Sequence, residues 1–145
     1  LSVRTSMRNQ WPCIVEGMQA RGQVVRVQLR GADAAAAGLA VFARITRESA
    51  ELLGLRPGMA VQALCKATAV RVLPLGKGPG SAACNQWPGR AARVSRGELG
   101  DELAAQLDAG VQMVGFAAPA SGLRVRSRVL LAADEAAIVL AVAGL

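Results

Sequence analysis

The chain has 145 residues, 52% of them hydrophobic, and a formal net charge of +7, enough for one substantial core or two small ones that share an interface. No apolar run approaches the roughly 20 residues of a membrane span. There is no histidine, and Cys13, Cys65 and Cys84 lack metal-ligand spacing; this argues against zinc and a disulfide framework, and for buried small side chains in a reducing cytoplasm.

In chain order, Val25, Val27 and Leu29 alternate with Arg26, Gln28 and Arg30, the period of a strand with one buried face. The Ala-rich residues 34–37 stand where a hairpin loop belongs, and residues 38–45 read as the next strand. Residues 46–54 predict a helix with explicit ends: Thr46 caps the first turn, Glu48 adds negative charge there, and Gly54 supplies the left-handed stop. Pro57-Gly58 turns the chain into a strand over residues 59–66, and residues 70–73 form a short closing strand. Glycines and Pro79 mark residues 75–80 as a linker. Beyond it, Val125 and Val129 alternate with Arg124, Arg126 and Arg128 as another strand, and residues 132–145 read as a strand of a soluble core. The arginines of both alternating runs are expected on a solvated face. Short strands with a small helix between the third and fourth follow the order of a five-stranded Greek-key barrel of the oligonucleotide/oligosaccharide-binding type.

Asn9-Gln10-Trp11-Pro12 recurs as Asn85-Gln86-Trp87-Pro88, and an internal repeat marks structural units. The expected class is all-β with one short helix per unit, in two tandem barrels: residues 4–74, a linker at 75–80, and residues 81–145. The copies differ around the shared phrase. Ser6 and Arg8 become Ala82 and Cys84, Lys66 aligns with Asp134, and Ala117, Ala118, Pro119 and Ala120 fill the region of residues 46–50. Residues 4–73 hold ten Lys or Arg against four Asp or Glu, whereas the balance from residue 81 onward is six against six.

The residues confined to the first copy are of one kind. Ser6, Arg8, Thr46, Ser49 and Lys66 supply two cations and three hydroxyls, a set suited to a divalent tetrahedral anion. A basic chain also raises nucleic-acid binding, but aromatics are only 3% and Tyr is absent, so stacking on bases has little support. No paired carboxylates in a plausible pocket and no nucleophile with a base stand out, so an enzyme is not expected.

Thr5-Ser6-Met7-Arg8-Asn9-Gln10-Trp11 resembles the S-A-R-N-Q motif that opens Mop domains, the molybdate-binding modules of the Mop/TOBE type. Ile45-Thr46-Arg47-Glu48-Ser49 is similar to their I-T-x-x-S helix, and Lys66-Ala67-Thr68-Ala69-Val70 to their closing K-A-x-x-V. Met7 departs from the motif's usual Ala. The degenerate second copy, opening Ala83-Cys84-Asn85-Gln86-Trp87-Pro88-Gly89, is most similar to the C-terminal sensor of ModE-type molybdate-responsive transcriptional regulators; free cytoplasmic molbindins are the alternative. That resemblance implies a cytoplasmic homodimer binding molybdate or tungstate through Ser6, Met7, Arg8, Lys66 and Ala67 of one subunit and Thr46 and Ser49 of the other. It also implies an upstream DNA-binding helix-turn-helix, and since Leu1 is not a natural start, the chain is expected to be part of something longer. Molybdate and tungstate are expected to be poorly discriminated, with the smaller sulfate excluded by cavity size.

Overall fold

A computed structural model describes residues 4–78 and 83–143. Ala82, which replaces Ser6 in the second copy, and residues 79–80 of the expected linker lie outside the described residues. The elements are β1 (Asn9–Arg21), β2 (Val24–Gly31), β3 (Ala40–Thr46), α1 (Arg47–Leu53), β4 (Ala60–Cys65) and β5 (Arg71–Pro74), then β6 (Cys84–Ser95), β7 (Asp101–Leu107), β8 (Gln112–Ala117), β9 (Arg128–Asp134) and β10 (Val139–Ala141). Single 3-10 turns occupy Ala34–Ala36, Ala67–Ala69 and Glu135–Ala137. No helix among the described residues is long and apolar enough to cross a membrane.

Local chemistry accounts for the first half. Val25, Val27 and Leu29 of β2 are buried, and the intervening Arg26, Gln28 and Arg30 lie on the other face. The α1 cap forms as expected: Thr46 Oγ1 accepts from the Ser49 amide at 3.0 Å and donates to Ser49 Oγ at 2.8 Å, and Gly54 closes the helix at φ 65°.

In each half a meander of three strands is followed by a strand that returns beside the first, the Greek-key order. The halves then exchange their final strands. β10 pairs with β4, giving a sheet ordered β10-β4-β1-β2-β3, and β5 pairs with β8 and β9 to close the barrel β5-β8-β7-β6-β9. The expected boundary at residue 74 thus follows the sequence repeat, while the sheets in space follow the exchange. Trp11 and Trp87 meet with ring centroids 5.7 Å apart within one core cluster drawn from both halves.

Four expectations need correction. Among the described residues the first sheet is not a closed barrel, and the two sheets differ at one position beside the closing strand. Gly115 pairs with Leu103 as Ala43 pairs with Val27. A Cβ on Gly115 would lie 2.7 Å from Val70 Cγ1 and 2.8 Å from its carbonyl oxygen, so its absence lets the chain before β5 reach β8, where the Phe116 amide donates to Val70 O at 2.9 Å. Ala43 carries that Cβ, and β10 bonds to β4 without bonding to β3.

Next, the second half has no helix among its described residues. Residues 118–127 are irregular instead, with turns at 119–120 and 125–126, and are tied down where Ser121 Oγ and Arg96 Nη1 each donate to the buried Asp101 carboxylate at 2.9 Å. The bond from Ser121, with help from Arg96, holds the Asp101 carboxyl below its usual range. Residues 124–127 are likewise not a strand. Ser127 N donates to Arg124 O and Arg126 adopts φ 77°, forming the turn that Gly58 forms at φ 89° before β4. Finally, the expected strand over residues 132–145 is broken at Glu135–Ala137 into the end of β9 and β10.

Candidate functional site

β1 and β4 run antiparallel with Asn9 opposite Cys65. The residues just before Asn9 and just after Cys65 therefore emerge at one end of the pair, which brings Ser6, Met7, Arg8, Lys66 and Ala67 to a common corner. Ser6, Arg8 and Lys66 are exposed, Met7 is half-buried and Ala67 is buried. Gln10 Nε2 donates to Met7 O at 3.2 Å and pins the approach to the strand. The Arg8 guanidinium reaches Glu102 of β7 at 3.3 Å, with Arg8 about half exposed. Lys66 forms no ion pair among the described residues, so its charge is left for another partner.

Thr46 and Ser49 are not part of this corner. Thr46 pairs with Val24 and Val24 with Arg21, the far end of β1 from Asn9, which is about 40 Å of strand path away at ~3.3 Å per residue. Helix α1 packs on β2 and β3. The seven expected site residues thus fall into two groups at opposite ends of one strand.

The equivalent corner of the second half has the opposite charge. Asn85 lies opposite Ala133 and Cys84 opposite Asp134, so Asp134 stands where Lys66 does and Cys84 where Arg8 does. Cys84 is half-buried, unlike the fully buried Cys13 and Cys65, whose thiols burial pushes up to about 12 and about 11. Arg71 Nη2 donates to Cys84 Sγ at 3.4 Å and lies 3.8 Å from Asp134 Oδ1.

Glu135 takes the place of Ala67 at the head of the 3-10 turn, with its side chain only 3% exposed. Arg26 binds it bidentately, Nε to Oε1 at 2.9 Å and Nη2 to Oε2 at 2.8 Å, and Arg44 Nη2 adds a bond at 3.3 Å. Arg26 also lies over the Phe42 ring, 3.9 Å from its centroid. The hydrogen bonds from Arg26 hold the Glu135 carboxyl below the usual carboxylate range, against the opposing effect of burial. The expectation of a solvated arginine face is corrected for Arg26, which with Arg44 closes on the buried Glu135, whereas Arg30 and Arg128 keep exposed pairs with Glu16 and Asp108.

The two copies of the shared phrase stitch the halves together. Asn9 Nδ2 donates to Val114 O at 2.9 Å and its Oδ1 accepts from Val114 N at 2.8 Å, as Asn85 does with Phe42 O and N at the same distances. Both asparagines are buried. Trp87 Nε1 donates to Ala40 O at 2.8 Å, whereas the buried Trp11 Nε1 has no partner among the described residues. Sequence reasoning missed these stitches and Glu135. The repeated asparagine was the available signal for the stitches, and an acid within an apolar run was the one for Glu135.

Residues 5–72 match the family model of the TOBE domain. The TOBE-matching segment contains every residue of the first corner together with Thr46 and Ser49. No curated protein matches the sequence. Among solved structures, the cytoplasmic molybdate-binding protein ModG, determined with molybdate bound, superposes with a TM-score of 0.86 over 97% of this chain and 100% of that one, at 21% identity. That likeness is one of fold. The part of the chain outside the TOBE match includes the charge-inverted second corner.

Proposed function

We propose that the chain binds molybdate, or tungstate, at the corner of Ser6, Met7, Arg8, Lys66 and Ala67. We further infer that it serves as the sensor part of a molybdenum-responsive transcriptional regulator, with residues 4–74 as the binding Mop subdomain and residues 81–145 as its degenerate partner. One observation carries the reading: of two corners built on the same strand pairing, only the first presents Arg8 and Lys66, while the second presents Cys84 and Asp134. Two cations roughly neutralise a divalent oxyanion, and hydroxyl and backbone donors satisfy its remaining oxygens.

The protein works as a cytoplasmic homodimer in this reading. Thr46 and Ser49 lie too far along β1 to reach their own chain's corner, so each anion would take the hydroxyls of Thr46 and Ser49 of the partner subunit. An anion bridging two subunits favours the arrangement that closes around it, which links binding to dimer shape. DNA contact would be made through an upstream helix-turn-helix. A free molbindin is the second reading, favoured by likeness to a cytoplasmic molybdate-binding protein along that protein's whole length.

Titration calorimetry tests the assignment. One molybdate per chain is expected; two per chain would mean that the second corner also binds, and none would remove the reading. Mixing a Lys66→Ala chain with a Ser49→Ala chain tests the sharing. Half the sites of each heterodimer should keep native affinity, since one site carries both lesions and the other neither. Absence of a native class would place all ligands in one chain.

A further inference from the structure

Arg26 and Arg44 face each other across β2 and β3, and Gln19 of β1 completes their row on the sheet. Together with Arg21, Val24 and Glu135 they line a groove of about 600 Å³. Glu135 reaches this groove from the other half of the sequence. Its two oxygens are taken up by a bidentate fork from Arg26 and a third bond from Arg44, the geometry in which guanidinium groups grip carboxylates and phosphates. The Phe42 ring beneath Arg26 fixes the plane of the fork.

The opposite corner shows what this arrangement replaces. Ala67 stands there in place of Glu135, and the register positions of Arg26 and Arg44 are held by Glu102 and Phe116. A cationic site edge facing an acid has become an acidic site edge facing two cations.

We propose that Arg26 and Arg44 form a second oxyanion-binding corner that the chain keeps filled with its own Glu135 carboxylate. Its ligand class is a small oxyanion presenting two oxygens on one face, such as a carboxylate or a phosphate. Without the Glu135 carboxylate, the two arginines would lose their shared counterion beside a groove open to solvent, where Arg21 also has no partner among the described residues. An external anion of matching shape then regains the lost bonds. The two halves thus build a self-filled counterpart of the first corner between them, which limits each chain to one exchangeable anion. The inference does not depend on which anion the first corner takes.

The test replaces Glu135 with the residue found at the equivalent place. Glu135→Ala is expected to fold, because Ala67 heads the corresponding turn. Formate should raise the melting temperature of Glu135→Ala without affecting that of the parent protein. Inorganic phosphate should bind the variant at least about tenfold more tightly than the parent, and both gains should vanish in Glu135→Ala combined with Arg44→Ala. A formate-insensitive variant with parental phosphate affinity, or a gain that survives loss of Arg44, would overturn the proposal. Should Glu135→Ala fail to fold, Glu135→Gln keeps the volume and one acceptor for Arg26; a gain in phosphate affinity is expected there too, and parental affinity would overturn the proposal. Because formate and phosphate are the probes and Arg44 the control, a failure here is distinguishable from a failure of molybdate to bind at Arg8.

Discussion

The two halves share a skeleton and differ in the charge of their corners. Both open on a buried asparagine that hydrogen-bonds the backbone of the other half. Both kink their first long strand at the same place, between Val15 and Gly17 and between Ala91 and Arg93. The asparagine of the shared phrase therefore serves to join the halves. The residues suited to an anion lie just outside it, at Ser6, Arg8 and Lys66, where the copies diverge. A repeat in this chain marks how the halves hold each other, and its flanks mark what each half can bind.

The largest expected effect breaks the functional side of this contrast. Arg8 is exposed in the single chain, and if the proposed bridge between subunits buries it against the anion, Arg8→Ala should cost about 2 to 5 kcal/mol of molybdate affinity, the range for removing one partner of a buried charged hydrogen bond, while Cys84→Ala at the equivalent position should leave affinity unchanged. Calorimetric titration of both variants decides it. Equal effects would mean that the corners are not functionally distinct.

The structural side predicts equality instead. Asn9→Ala and Asn85→Ala each strip two backbone groups, on the half-buried Val114 and Phe42, of their partners, at roughly 1–3 kcal/mol per group left unsatisfied. Each variant should lose about 2 to 4 kcal/mol of stability in urea unfolding, with similar values for the two. A large loss at one position and none at the other would show that only one stitch holds the halves.

Where the fold was legible, local chemistry dictated it. The alternation of Val25 to Leu29 required one buried face, and Thr46 with Gly54 set both ends of α1 within a residue. The strand exchange was not legible, because β5 and β10 are short and their partners are distant in sequence. The close approach that closes the barrel requires glycine at Gly115, where a Cβ would meet Val70, and that need appears only once Val70 is packed against it. Arg124 to Ser127 imitated a continuation of β9 because a turn that needs a left-handed residue here uses Arg126 rather than glycine. The first corner was legible as a composition of cations and hydroxyls. Its division into two groups was implied by the resemblance, and the register of β1 gives the physical reason within one chain: Thr46 and Asn9 lie toward opposite ends of that strand. Glu135 read as a break in an apolar run, since its two arginine partners come from the opposite half.

A smaller difference separates the two tryptophans. Trp87→Phe leaves Ala40 O without its donor, whereas Trp11→Phe removes an indole N–H that is buried without a partner among the described residues. Trp87→Phe should therefore be the more destabilising of the two by about 1–2 kcal/mol, the scale of one buried hydrogen bond against one relieved orphan donor. Chemical denaturation of the pair measures the difference directly. Equal losses would indicate that the two indoles sit in equivalent polar surroundings.

The smallest effect concerns the turn before the last long strand of each half. Gly58 and Arg126 both stand at positive φ, and both turns dock on the kinked strand of their own half: the Gly58 amide donates to Val15 O and the Arg126 amide to Ala91 O, each at 2.8 Å. A side chain in the left-handed region costs roughly 1–2 kcal/mol that glycine avoids. Glycine gives back part of this gain through the greater freedom of the unfolded chain. The Arg126 carbonyl, which accepts from Arg90 Nη1 at 2.9 Å, is retained by any substitution. Arg126→Gly should therefore stabilise the protein by about 0.5–1 kcal/mol, seen as a small rise in melting temperature, and Gly58→Ala should destabilise it by a comparable amount. If Arg126→Gly proves destabilising instead, the arginine side chain holds the turn by contacts that outweigh its backbone strain, and the two turns are alike in shape but not in what maintains them.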